Sequence, residues 1–184
     1  MRFLLAATIM SAAVILARVA WGAPTKPAPG EVVPWQAIFQ AVDGARWIDR
    51  AAQVQAESRF DLTAHSPTGA LGPAQFEQAT WKEWTKPPTA SPQDPNAFIP
   101  TQNRYMNWIE ARTKGLDPAL GAYNAGLGSV LRAQRLAASM GLPGAAAWLQ
   151  ALPRITGTAN AAQTRSYLVH NAENRTTIQG RAKR

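Results

Sequence analysis

Apolar residues recur at helical spacing along most of this chain, and no stretch shows the strict alternation of apolar and polar residues that is typical of a half-buried strand. Glycine and proline separate the apolar runs and mark the ends of helices. The sequence therefore predicts an all-α protein. The proline-rich stretch 86–100 is predicted as a loop. The predicted helices cover residues 35–42, 45–58, 75–84, 101–114, 118–126, 130–140, 145–152 and 163–171.

The first 22 residues have the composition of a secretory signal peptide. Arg2 precedes an apolar run over residues 3–17, and the small residues around Trp21 place a cleavage site after Gly22. The apolar run is shorter than the about 20 residues that a membrane span needs. We therefore predict an exported protein. The alternative is an uncleaved segment in which residues 3–17 anchor the protein to the inner membrane.

Composition predicts three further segments. Residues 23–34 contain four prolines and little to bury, which is typical of an extended linker. Residues 35–174 form the predicted helical domain, since the chain of 184 residues is long enough for one packed core. Residues 175–184 carry four basic groups and no acid, and are predicted to be a solvated basic tail.

The formal net charge of +8 favours an anionic partner, such as nucleic acid, a membrane surface or an acidic cell-wall polymer. Basic and aromatic residues do not interleave on a helix face, and no zinc-finger or RNA-binding signature is present, so nucleic acid is not predicted. The chain has no cysteine, which excludes disulfides, thiolate metal sites and a cysteine nucleophile. His65 and His170 lack a second close ligand, so neither a metal site nor a cofactor is predicted.

Glu57 is the candidate catalytic residue. It lies near the end of the predicted helix 45–58, beside an apolar stripe, and a turn rich in glycine and proline follows it. Apolar surroundings disfavour a charged carboxylate, so they raise the pKa of a glutamate and let it hold a proton near neutral pH. An exposed helical glutamate is the alternative interpretation. The nearest second acid is Asp61, for which an ordinary exposed turn aspartate is expected.

Four sequence motifs occur in order along the chain. They are Glu57-Ser58, then Ser66-x-x-Gly69-Ala70-x-Gly72-x-x-Gln75, then Ala122-Tyr123-Asn124-Ala125-Gly126, and last Leu152-Pro153 with Thr164-Arg165-x-Tyr167-Leu168-Val169. Together they resemble the Slt-type lytic transglycosylases, which share the lysozyme-like fold with goose-type lysozymes. The resemblance covers about residues 45–170 and implies a lysozyme-like helical domain with a cleft. Glu57 stands at the position of the catalytic glutamate of that family.

The resemblance implies an enzyme that cleaves the glycan strands of peptidoglycan with a single glutamate. Protonated Glu57 would donate its proton to the oxygen between N-acetylmuramic acid and N-acetylglucosamine, and would then take a proton from the muramyl C6 hydroxyl. This second step closes a 1,6-anhydro ring. The resemblance also implies a periplasmic location and peptidoglycan as the partner.

The same motif positions imply five substrate-binding residues. Tyr167 would orient the catalytic carboxyl group, Gln75 and Asn124 would bind sugar amides and hydroxyls, and Tyr123 would line the cleft. Ser58 would brace the backbone beside the catalytic residue. From the residues alone, the alternative for Tyr167 is a core tyrosine. The alternative for Gln75 and Asn124 is that their side-chain amides cap helices or turns.

One motif departs from the family pattern, and other functions stay open. Pro73-Ala74 stands where the family commonly has Leu-Met, so a long flexible side chain that could contact a sugar acetamido group is absent. The hydrolytic alternative is a muramidase of goose-lysozyme type, which needs a second carboxylate. The alternative from another class is a non-catalytic peptidoglycan-binding assembly protein. Cell-wall turnover and a secretion, conjugation or phage assembly are all compatible settings.

Overall fold

The computed structural model describes residues 26–184 of the chain. The predicted signal peptide, the anchor alternative over residues 3–17 and the start of the linker lie outside the described residues. In residues 26–184 no helix combines the length and the apolar composition that a membrane span requires. The predicted segment boundaries after residues 22, 34 and 174 stay predictions.

Helices account for all the regular secondary structure of the described residues, which confirms the all-α prediction. Apart from them, two isolated bridges join His65 to Leu71 and Leu71 to Phe76. The helices of residues 26–184 are α1 Gln36–Asp43, α2 Trp47–Ser58, α3 Gln78–Trp84, α4 Pro95–Thr113, α5 Leu116–Ala125, α6 Leu127–Ser139, α7 Ala147–Ala151, α8 Pro153–Thr156 and α9 Thr158–Ala182, with a 3-10 turn at Gly44–Arg46.

The described residues divide into two compact units. The first unit contains residues 26–105 and 169–184, and the second unit contains residues 106–168. Helices α4 and α9 each contribute residues to both units.

Four aromatic residues pack together in the first unit. The ring of Phe98 lies 5.4 Å from that of Trp35 and 6.5 Å from that of Phe39, measured between centroids. The Trp35 ring also lies 6.0 Å from that of Phe60. All three pairs meet edge to face, an arrangement that the aromatic quadrupole favours. These contacts hold α1, α4 and the residues after α2 around one apolar centre.

The prediction of a loop over residues 86–100 is wrong for its last six residues, because α4 begins at Pro95. Asp94 caps this helix: its Oδ1 atom accepts a hydrogen bond of 2.9 Å from the Asn96 N–H, and its carbonyl accepts one of 2.8 Å from the Phe98 N–H. Proline is favourable at the first helical position, where its missing N–H has no helical partner to bond. Pro100 lies inside the helix.

Helix α9 extends well beyond the predicted range of 163–171 and runs through most of the predicted basic tail. Contacts within the first unit hold its last turns. Ile178 is fully buried, the Asn174 side-chain amide donates a hydrogen bond of 3.3 Å to the Ala52 carbonyl, and Arg175 lies 3.9 Å from the Asp49 carboxylate. These contacts join residues more than a hundred positions apart, so periodicity within the segment does not reveal them.

A buried ion pair joins the end of α1 to α2 in the first unit. The Arg50 Nε atom lies 3.9 Å from the Asp43 Oδ1 atom, and both side chains are 1% exposed. Burial raises the pKa of Asp43 to about 7, although the positive charges of Arg50 and Arg46 oppose this rise. The carboxylate therefore carries its charge in the folded protein only around and above neutral pH.

This pKa predicts that Asp43 makes the protein less stable as the pH rises from about 4 to about 7. Because the folded protein holds the proton up to a higher pH than the unfolded chain does, the free energy of unfolding falls across this interval and is fully reduced above it. Relaxation of the protein around the ionised carboxylate limits the effect to roughly 1–2 kcal/mol. Urea unfolding at several pH values, compared with Asp43→Asn, measures the difference. An equal pH dependence in both proteins would contradict it.

In the second unit, α6 packs against α5, α7 and α8. The pair Asp117-Pro118 predicts a helix start with Asp117 as the cap. This prediction is wrong, because α5 begins at Leu116 and Asp117 lies inside its first turn. The Gln134 side-chain amide donates a hydrogen bond of 2.8 Å to the Thr113 carbonyl at the end of α4. Gly121 of α5 faces the buried ring of Trp148, and a Cβ atom at this position would overlap that ring.

Gly121→Ala should lower the free energy of unfolding by about 1–3 kcal/mol, the usual range for overpacking a core. Alanine favours a helix over glycine by about 1 kcal/mol, but a rigid buried indole cannot move aside without disturbing its own contacts. Gly180→Ala in α9 is the matched control, since no atom lies within 4 Å of its added Cβ. We expect Gly180→Ala to raise the thermal midpoint and Gly121→Ala to lower it. Shifts of the same sign would contradict the prediction.

Candidate active site

Glu57 is the second-last residue of α2 and is only 6% exposed. The interpretation of Glu57 as an exposed helical glutamate is therefore wrong. Ala51 and Val54, on the apolar stripe of the same helix, are fully buried. The helical spacing that places this stripe in the core carries the Glu57 side chain out of bulk water as well.

The backbone directly after Glu57 and Ser58 has an unusual conformation. Arg59 and Phe60 have φ angles of 58° and 66°, in the left-handed region that glycine normally occupies at the end of a helix. The Arg59 N–H closes the helix with a hydrogen bond of 3.0 Å to the Gln55 carbonyl. Such a conformation is unfavourable for side chains with a Cβ atom, and residues of this kind cluster at functional sites.

Asp61 is buried, contrary to the expectation of an exposed turn aspartate, and is 2% exposed. Its backbone N–H donates a hydrogen bond of 3.2 Å to Ser58 Oγ. Its Oδ1 atom accepts hydrogen bonds of 2.8 Å from both the backbone N–H and the hydroxyl of Thr63. Its Oδ2 atom is buried and has no hydrogen-bond partner among residues 26–184. Ser58 thus supports the turn after Glu57, while its contact with substrate stays a prediction.

The second motif forms a compact turn that positions Gln75. Ser66 is fully buried, and its Oγ atom accepts a hydrogen bond of 2.9 Å from the Ala70 N–H. Gln75 is 1% exposed and has a φ angle of 50°. Its side-chain amide donates a hydrogen bond of 2.8 Å to the Gly72 carbonyl, whereas its Oε1 atom has no partner within the described part of the chain. Gln75 therefore has an acceptor atom that no described residue uses.

An aromatic cluster follows Gln75 in the first unit. The Phe76 ring lies 5.4 Å from that of Trp81 and 6.3 Å from that of Tyr105, and Trp84 lies 5.3 Å from Tyr105. Burial raises the pKa of Tyr105 to about 12, and nearby acidic side chains add to the rise. Trp84 and Tyr105 are only half-buried, so they have surface on which a sugar ring can stack. From the sequence, Trp84 and Tyr105 are only aromatic residues in predicted helices, and such residues more often belong to the core than to a binding site.

Tyr123, Asn124 and Tyr167 belong to the second unit. Tyr123 and Tyr167 are buried, and Asn124 is half-buried at the end of α5. The Asn124 Oδ1 atom accepts a hydrogen bond of 2.9 Å from the Thr164 hydroxyl of α9. One polar atom of Asn124 is thus engaged within its own unit. The orienting contact of Tyr167 with the catalytic carboxyl group stays a prediction.

Solved structures show the fold to which this chain is similar. A complex of the 70-kDa soluble lytic transglycosylase with bulgecin A is 24% identical with a TM-score of 0.62, and the match covers 78% of this chain and 24% of that chain. The 70-kDa enzyme from Escherichia coli is 23% identical with a TM-score of 0.55, and the match covers 78% of this chain and 25% of that chain. The fold class is therefore the lysozyme-like helical domain, and this chain spans about a quarter of the length of these two chains.

The family model described as the transglycosylase SLT domain matches residues 51–141. Residues 51–141 are accordingly similar to the transglycosylase SLT domain, as the motifs within this range indicated. The matched range contains Glu57, Ser58, Gln75, Tyr123 and Asn124, and it ends before the fourth motif. The search of curated proteins found no match to this chain.

Proposed function

We propose that this protein is a peptidoglycan lytic transglycosylase. It cleaves the β-1,4 bond between N-acetylmuramic acid and N-acetylglucosamine and leaves a 1,6-anhydromuramyl end. The observation that carries this proposal is the burial of Glu57 at the end of α2, inside the range that matches the SLT family model. A carboxyl group held away from bulk water at a motif position is suited to proton transfer.

The proposed reaction uses Glu57 twice. Its carboxyl group first donates a proton to the glycosidic oxygen, and the bond from that oxygen to C1 of the muramyl residue breaks. The N-acetyl group of the substrate stabilises the oxocarbenium-like centre that forms. The Glu57 carboxylate then takes the proton of the muramyl C6 hydroxyl while the C6 oxygen bonds to C1. Glu57 regains its proton, and no water is consumed.

The other motif residues are proposed to bind and orient the glycan. Tyr167 would hold the carboxyl group of Glu57 in its reactive orientation. The carbonyl oxygen of Gln75, which has no partner in residues 26–184, would accept a hydrogen bond from a sugar amide or hydroxyl. Asn124 and Tyr123 would contact the glycan from α5. Ser58 would act through the turn that it supports.

The proposed partner is the glycan strand of peptidoglycan in the periplasm. Removal of residues 1–22 takes away two arginines and no acid, which leaves a formal charge of +6 on the exported form. This charge favours association with an anionic wall. Retention of residues 3–17 would place the same domain at the inner membrane instead.

The products of digestion test this proposal. Purified peptidoglycan is incubated with the protein, and the released fragments are separated and weighed by mass spectrometry. We expect muramyl ends lighter by one water molecule than reducing ends. Reducing ends would show hydrolysis. Sedimentation of the protein with insoluble peptidoglycan, with no release of fragments, would show a binding protein without this activity.

Hydrolysis is the second candidate function, and the burial of Asp61 favours it. A hydrolase needs a second carboxylate that positions water, and the Oδ2 atom of Asp61 has no partner among the described residues. Asp61→Asn tests this role, because asparagine can still accept the hydrogen bonds from Thr63. A transglycosylase with one catalytic glutamate keeps forming anhydro ends in this variant, whereas a hydrolase that uses Asp61 loses activity.

A further inference from the structure

The first unit contains a cavity of about 500 Å³ that the proposed reaction does not use. This volume lies within the usual range of small-ligand sites, about 300–1,000 Å³. The cavity lies between residues 26–34, the end of α2 and the residues of α9 from His170 onwards. Neither Glu57 nor Gln75 lines it.

Helix geometry separates the cavity from the catalytic candidate. Gln55 lines the cavity, and Glu57 follows two positions later on the same helix. Two positions correspond to about 160° around a helix axis, so these two side chains leave α2 on opposite sides. A ligand in the cavity would therefore occupy a site separate from the one that holds Glu57.

Positive charge is concentrated at this cavity. Lys26, Arg59 and Arg181 line it, and Glu173 is the one acid among the described residues that line it. Within residues 26–184, none of the three cations has an ion pair or a side-chain hydrogen bond. Arg59 is also held in the left-handed conformation at the end of α2. An arginine without a partner offers paired N–H donors that match a carboxylate.

The same cavity has an apolar wall. Val33 and Phe60 line it and are otherwise buried, and Val32 and Pro34 extend the wall along the segment before α1. Cations alone would suit a small inorganic anion, whereas an apolar wall next to them suits a molecule that carries both carboxylates and small apolar groups. Peptides with acidic and small apolar side chains have this combination.

We propose that this cavity binds a short acidic peptide, with its carboxylates on Arg59 and Arg181 and its apolar side chains against Val33 and Phe60. Such binding is a property beyond glycan cleavage. It would attach the protein to a carboxylate-bearing peptide while the catalytic side of α2 remains available for another molecule.

Calorimetric titration of the full chain with the tripeptide alanyl-glutamyl-alanine tests the proposal. The matched control peptide, alanyl-glutaminyl-alanine amide, has the same size but no carboxylate. We expect the acidic peptide to bind, its affinity to fall as salt is added, and the amide peptide to bind at least about tenfold more weakly. Equal binding of the two peptides, or binding of inorganic phosphate as tight as that of the tripeptide, would overturn the proposal.

Substitutions of single arginines test whether the tripeptide binds in this cavity. Arg59→Gln and Arg181→Gln should each weaken tripeptide binding by about tenfold or more, and Arg59→Lys should retain part of it. Arg135→Gln, which removes an exposed arginine of α6 outside the cavity, should leave affinity within about twofold. Equal losses in Arg135→Gln and Arg181→Gln would overturn the proposal. Arg181 is exposed near the end of α9, so its variant decides the outcome if Arg59→Gln fails to fold.

Binding and cleavage can fail independently. Glu57→Gln should leave tripeptide affinity unchanged, because Glu57 does not line the cavity. A protein that binds the tripeptide but releases no glycan fragments would sustain the cavity proposal and refute the proposed activity. A protein that forms anhydro ends without binding the tripeptide would support the proposed activity and refute the cavity proposal.

Discussion

Glu57→Gln should lower the rate of glycan release by about 10²–10⁴-fold, the range that general acid–base catalysis contributes. Glutamine has nearly the same shape and fits the same buried position, but it can neither donate the proton to the glycosidic oxygen nor take one from the C6 hydroxyl. Because one side chain is proposed for both steps, no second carboxylate replaces it. Release of fragments from labelled peptidoglycan measures the rate.

Glu83→Gln is the matched control for this variant. Glu83 is an exposed glutamate of α3 in the same unit, and its replacement removes the same charge from the protein. We expect a rate within about twofold of the parent, since surface electrostatic effects are small. The proposed mechanism is wrong if Glu57→Gln retains the parent rate, or if both variants lose activity to the same extent while they remain folded.

Gly72→Ala should cause the largest loss of stability among the glycine variants, about 3 kcal/mol or more. Gly72 has a φ angle of 71°, which costs about 1–2 kcal/mol for a residue with a Cβ atom. The added Cβ atom would also collide with the Pro92 carbonyl, and a backbone group can yield only if the loop around it moves. Urea unfolding measures the loss, and activity should fall with it because Gln75 bonds to the Gly72 carbonyl.

Gly69→Ala separates the two causes. Gly69 lies in the same turn with a φ angle of 89°, but its added Cβ atom meets no atom within 4 Å. It should therefore lose only the conformational part, about 1–2 kcal/mol. Equal losses in the two variants would show that the contact with Pro92 contributes nothing, contrary to the prediction.

Local patterns predicted the helices well where apolar residues recur densely. Helices α1 and α2 were predicted within about two residues of their observed bounds, because their apolar positions follow the helical period closely. The start of α4 was missed although Asp94-Pro95 is the same kind of signal as the one interpreted as a helix start at Asp117-Pro118. The stretch 86–100 contains five prolines, which favour a loop. This signal outweighed the single pair Asp94-Pro95, which favours a helix start.

The extent of α9 shows a different limit. Residues 172–182 are mostly polar and lack a continuous apolar stripe, so their own pattern indicates no helix end beyond residue 171. Ile178 and Asn174 stabilise the additional turns by contacts with residues far away in the chain. A sequence pattern records the spacing of nearby residues, whereas these contacts depend on where distant segments come to lie.

The order of residues alone determined the helical class, the similarity to the transglycosylase SLT domain and the candidate role of Glu57, because helical period and motif spacing are local properties. Tertiary structure decided the burial of Asp61, the left-handed backbone at Arg59 and Phe60, and the grouping of basic residues around one cavity. Burial and backbone strain depend on contacts between segments that are distant in the chain. Packing supplies those contacts, and the free energy that it releases keeps a strained residue or an unpaired buried oxygen in place.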